Sequence, residues 1–122
     1  MKASILELET KRPLSIDFTF YTDGDSVFKK ELITLMIENI RELLYAQRQA
    51  EYQNDFSLFL KACHKVNSTL NILNDNELRT VVNQMIAAAE ARDAWEPLQI
   101  ALLHRLCDEI VKSLEQEKNS AI

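Results

Sequence analysis

The chain has 122 residues, 47% of them hydrophobic and 27% charged, with a formal net charge of −5. That length suits one domain with a real core and is too short for two. The acidic balance, without a basic stripe carrying interleaved aromatics, disfavours a nucleic-acid surface. No apolar run approaches the length of a membrane span, and the first residues do not follow a signal-peptide pattern. Two cysteines, Cys63 and Cys107, make no disulfide framework. A cytoplasmic, reducing setting is the expectation. One glycine and two prolines imply few turns and long elements, hence an all-α chain.

Taken in order, Met1 to Asp25 reads as an arm. Ser4 to Glu9 is a short apolar-acidic patch, and Pro13 interrupts any helix there. Ile16, Phe18 and Phe20 alternate with Asp17 and Thr19, a strand period. A lone strand does not stand by itself, so the expectation is an extended arm laying its aromatics across the rest. Pairing with the same segment of a second chain is the less favoured alternative. Thr22 to Ser26 reads as a turn and N-cap.

Four long amphipathic helices follow. The first spans about Ser26 to Arg48. Phe28, Leu32, Leu35, Met36 and Leu43 form one stripe; Ile33, Ile37, Ile40 and Leu44 form a second beside it. Gln49 to Asn54 reads as a polar connection, with Asn54 or Asp55 as the next cap. The second helix spans Phe56 to Leu73, and Asn74-Asp75-Asn76 is a tight turn. The third carries Leu78, Val81, Val82, Met85, Ile86 and Ala89 inward and ends at Arg92-Asp93. The fourth starts near Ala94 with Pro97 in its first turn. Its expected core is Leu98, Leu102, Leu103, Leu106, Ile110 and Leu114, with Trp95 as a clasp over the bundle end. Short links imply antiparallel neighbours. The expected architecture is an antiparallel up-down four-helix bundle: an arm over 1–25, the bundle over 26–118, and a frayed tail over 119–122.

The second helix carries the chemistry. Phe56, Phe59, Leu60, Cys63, Val66, Leu70 and Leu73 lie on one broad apolar arc. His64 falls just off its edge, beside Ser57, Lys61, Ser68 and Asn71. Spacing alone favours a boundary histidine with no further task. His104, Cys107 and Asp108 share a helical turn and have metal-binding side chains, but an ordinary surface turn is the better reading. Neither histidine follows a glutamate at the spacing of a di-metal bundle. No Ser-His-Asp arrangement or glycine-rich phosphate cradle is present.

The run Cys63-His64-Lys65-Val66-Asn67-Ser68-Thr69-Leu70-Asn71-Ile72-Leu73-Asn74 resembles the signature of histidine-containing phosphotransfer (HPt) domains. Cys63, His64, Val66 and Leu73 match the pattern, as does Leu78 beyond it. Gly24-Asp25-Ser26-Val27-Phe28 resembles the family's opening, and the likeness spans roughly Asp23 to Leu114. Asn67 stands where the family has lysine, Ser68 where it has glycine, and Asn74 where it usually has a second glycine.

The resemblance implies a histidine phosphocarrier, not an enzyme, in a two-component phosphorelay. His64 would accept a phosphoryl group from one receiver aspartate and pass it to another. Lys61, Lys65, Asn67, Ser68 and Asn71 would contact the phosphoryl group or the partner. The implied partners are a response-regulator receiver domain, a hybrid histidine kinase, or both. No cofactor of its own is implied; a divalent metal would sit on the receiver. The alternative is a pseudo-HPt docking module that binds a receiver or kinase without carrying phosphate. A third reading is a structural helical bundle with an accidental likeness.

Overall fold

The computed structural model describes residues 12–120. The apolar-acidic patch at Ser4 to Glu9 lies outside the described residues. Within them every regular element is helical: α1 (Phe18–Thr22), α2 (Ser26–Gln53), α3 (Ser57–Leu73), α4 (Asn76–Glu90) and α5 (Pro97–Asn119). The helix α2 packs on α3 and α5, α4 packs on the same pair, and α1 rests on α2. Each long helix thus touches two others and encloses one apolar core.

The turns explain how a chain with one glycine reverses direction so often. Asn54 and Asn74 end α2 and α3 in the left-handed region, with φ of 53° and 50°. Asparagine tolerates that conformation, so it takes the place glycine usually fills at a helix end. Asp23 at φ 54° and Gly24 at φ 78° together turn the chain between α1 and α2. Aspartates then open the helices. Asp25 accepts the N–H groups of Val27 and Phe28 at 2.9 and 3.1 Å. Asp75 accepts that of Leu78 at 3.0 Å, and Asp55 accepts that of Ser57 at 3.0 Å. Such caps contribute about 1 kcal/mol each by satisfying donors the helix leaves over.

The arm differs from expectation. Exposure does alternate from Arg12 to Phe18, with Leu14, Ile16 and Phe18 packed against the core and Pro13, Ser15 and Asp17 outside. This stretch is an irregular strap, not a strand. The extended arm ends at Phe18, where α1 begins. The Asp17 carboxylate accepts the Phe20 N–H at 3.1 Å, and the Thr22 hydroxyl donates to the Phe18 carbonyl at 2.6 Å. Local polar groups thereby favour a helical turn, and Phe20 is left 77% exposed rather than laid on the core.

The helix α2 runs five residues past its expected end. Residues 49–53 are polar but contain no helix breaker, and alanine, glutamine and glutamate are good helix formers. Ala50 is fully buried, which holds the added turn down. Three apolar residues expected inside are exposed: Phe28, Leu35 and Leu98. Leu35 is 53% exposed because it sits about 100° behind Met36, off the packed arc. Phe28 is in the first turn of α2, at the rim. Leu98 is 82% exposed; the core end it was expected to fill belongs to Trp95. The Trp95 ring meets Phe56 and Phe59 edge-on, with centroids 4.8 and 4.6 Å away. Its indole N–H donates to the Met85 carbonyl at 2.9 Å, which leaves the one polar atom of the clasp satisfied. Among the described residues, no helix is long and apolar enough to cross a membrane.

Candidate functional site around His64

Helix α3 presents a buried side and an exposed side. Phe59, Cys63, Val66, Thr69, Leu70 and Leu73 are buried. Lys61, His64, Lys65, Asn67, Ser68 and Asn71 are all exposed, so every residue singled out from the sequence lies on the solvent side. Helical projection puts His64 near the middle of that side, with Lys61, Ser68 and Lys65 toward one flank and Asn71 and Asn67 toward the other.

The two flanks are tied to different helices. Lys65 reaches α2, its Nζ lying 3.0 Å from Glu42 Oε2. Both side chains are more than half exposed, so water screens the pair and it contributes little. On the other flank the partner comes from α4. Arg79 donates from one terminal nitrogen to Asn67 Oδ1 at 2.8 Å and from the other to Asn71 Oδ1 at 2.5 Å. The planar guanidinium grips two carboxamides one turn apart on α3. Ser68 and Lys61 have no side-chain partner among the described residues.

Arg79 is the functional candidate missed in the sequence. A signal was present. The turn at Asn74-Asp75 folds α4 back along α3, and counting outward from it sets Arg79 opposite Asn71. An arginine there is long enough to reach Asn67 as well. Reading each helix alone hides such a pair, because it exists only across the hairpin.

The thiol behind the histidine is inert. Burial pushes the Cys63 pKa up to about 12, so the residue is a small apolar filler under His64. The other histidine belongs to a different constellation. His104 Nε2 donates to Gln47 Oε1 at 2.6 Å, and Arg48 lies 3.5 Å from His104 Nδ1. Cys107, three residues further along, is wholly buried, whereas Asp108 is exposed. The three side chains do not converge, and no metal-binding group of three such residues occurs among the described residues.

What the His64 face offers chemically is a nucleophilic imidazole open to solvent on a helix whose far side is locked in the core. Around it are a hydroxyl at Ser68, amides at Asn67 and Asn71, and cations at Lys61, Lys65 and Arg79. Compared with family models, with curated proteins and with solved structures, the chain matches none.

Proposed function

We propose that this protein is a cytoplasmic histidine phosphocarrier, an HPt-like antiparallel up-down four-helix bundle that relays a phosphoryl group between receiver-domain aspartates through His64. The observation that carries this reading is the open imidazole at the middle of α3, flanked by hydrogen-bond donors and backed by a fully buried helix face. A carrier needs little else. The receiver brings the aspartate and the divalent metal, and the carrier supplies a fixed nucleophile. In the forward step the imidazole lone pair forms the N–P bond. The O–P bond of the aspartyl phosphate breaks, and the aspartate leaves as carboxylate. Neutral imidazole is the attacking form, because the lone pair that forms the N–P bond must be free of a proton.

The test is transfer from a phosphorylated receiver domain to the parent protein and to His64→Gln. Acid-labile label on the parent and none on the variant is expected. Label retained by a folded His64→Gln would move the acceptor elsewhere. A second reading, docking without phosphate, is favoured by one observation: Lys65 and Asn67 are already engaged, by Glu42 and Arg79. Calorimetric binding of a receiver with no transfer in either direction would select it. In both readings the partner must pass over Ser68, so Ser68→Arg should abolish binding while leaving the helix content unchanged.

A further inference from the structure

We infer that Arg79 supplies the phosphoryl-binding cation of the His64 face, an oxyanion subsite built across the α3–α4 hairpin rather than on α3 itself. The inference rests on the phosphocarrier reading and deepens it.

Arg79 is held in place without being neutralised. Its two recorded partners, Asn67 and Asn71, are uncharged acceptors. No carboxylate lies within ion-pair distance of it among the described residues. The obvious one is Asp75, the N-cap of the same helix and four residues earlier, the spacing of an ordinary ion pair. Asp75 is instead taken by Arg12 from the N-terminal strap, and so is Glu77, at 2.7 Å. Among the described residues, the structure therefore commits the neighbouring carboxylates Asp75 and Glu77 elsewhere and leaves the Arg79 guanidinium without a counter-charge.

That charge is aimed by its anchors. Asn67 lies one turn from His64, about 4.5 Å along the axis, on the same exposed side. Its amide fixes one arm of the guanidinium and leaves the remaining N–H groups of the fork without a protein partner among the described residues. A planar fork with spare donors suits the oxygens of a tetrahedral oxyanion. It also accounts for the asparagine at 67. A lysine there would face the Arg79 charge; an asparagine instead holds the arginine that replaces it.

The test uses phosphoramidate as the phosphodonor, so that no partner protein is needed. The imidazole lone pair forms the N–P bond while the donor's P–N bond breaks. Ammonia leaves with that electron pair, and the proton on the other ring nitrogen passes to solvent. Phosphohistidine is followed by phosphorus NMR, with circular dichroism on each variant. Arg79→Gln should be labelled about tenfold more slowly than the parent, and Arg79→Lys, which keeps the charge but not the fork, should recover part of the rate. The gap between parent and Arg79→Gln should narrow in about 1 M salt, which a purely structural role would not produce. Should Arg79→Gln fail to fold, Asn67→Asp, which neutralises the guanidinium in place, should show the same slowing. Equal labelling of the parent and a charge-removed variant overturns the inference and leaves the phosphocarrier reading intact. So does a loss that Arg79→Lys does not recover or that salt does not change. No labelling of the parent overturns both.

Discussion

Asn39 on α2 donates to the hydroxyl of Thr69 on α3 at 3.1 Å, and both side chains are buried. The pair sits in the seam that fixes the helix carrying His64. Thr69→Val keeps the shape and strands the Asn39 amide, an unmade bond in a dry place that costs about 1–3 kcal/mol. Replacing both partners with apolar residues removes the stranded group as well. The expectation for urea unfolding is a clear loss for Thr69→Val and a smaller one for Asn39→Leu/Thr69→Val. A double variant weaker than the sum of the singles would mean that the bond is not the reason these polar residues are inside.

Gln47 and His104 set the pH response. The Gln47 amide is fully buried, accepts from His104 Nε2, and donates to Glu51 Oε1 at 2.7 Å. Burial first, and the Arg48 charge second, hold the His104 pKa below the usual histidine value; Asp108 and Glu51 pull the other way. The unfolded chain therefore takes up this proton at a higher pH than the folded one does. The His104 contribution to stability is complete above about pH 6.5, falls as the pH drops below that, and levels off under the folded value. His104→Gln removes the titration while keeping a donor for Gln47. Unfolding free energies at about pH 7.5 and 5.5 should fall less in the variant than in the parent. An equal or steeper fall in the variant would show that His104 does not carry the effect.

Both cysteines should be unreactive in the folded protein. Burial drives each thiol pKa up to about 12, with Asp108 adding a smaller push at Cys107. The thiolate is the reactive form, and almost none is present near pH 8. A disulfide-exchange dye should release no colour on mixing with the native protein and react at both sites after denaturation. A rapid stoichiometric burst in the native state would place a thiol at the surface and contradict the packing under His64.

These relationships also mark how far the sequence could be read. Periodicity sufficed for the four long helices, because each has a wide apolar arc, and the junctions around α3 are signalled by asparagine and aspartate. Exposure of His64, Lys61 and Ser68 followed from the same projection. What failed was local. Residues 49–53 look like a loop only if polarity is taken for a break, and Ile16 to Phe20 look like a strand only if Asp17 is not read as a cap. What was invisible was anything made between elements. Asn39 and Ser113 are polar and buried, and nothing within their own helices announces Thr69 and Arg12, the partners that make burial tolerable. Arg79 belongs to the same class, since its meaning lies in Asn67 and Asn71 on another helix.

Arg12 shows how such a contact can couple distant parts of the chain. Its backbone N–H donates to Ser113 Oγ at 2.9 Å, and the Ser113 hydroxyl donates back to its carbonyl at 2.5 Å. Its guanidinium binds Asp75 and Glu77 and stands 3.9 Å from Glu109. Burial alone would raise the Asp75 carboxyl, but the Arg12 and Leu78 donors outweigh it and hold the pKa below the usual aspartate value. That stabilisation is present above the unfolded aspartate pKa of about 3.9 and is lost as the pH falls through the folded value. Arg12→Gln should therefore destabilise the protein by about 1–3 kcal/mol near pH 7, since it leaves partly buried carboxylates without their cation. The deficit should shrink in acid, where the parent loses the same contribution. A second effect follows at the candidate site. Freed from Arg12, Asp75 is spaced to pair with Arg79 and to draw the guanidinium away from Asn67 and Asn71. Phosphoramidate labelling of Arg12→Gln should then slow toward the Arg79→Gln rate at a pH where the variant is still folded. Urea titrations at about pH 7 and 3, beside the labelling rate, separate the two effects. A variant as stable as the parent at both pH values would leave the strap without a structural role. One labelled at the parent rate would show that Asp75 does not compete for Arg79.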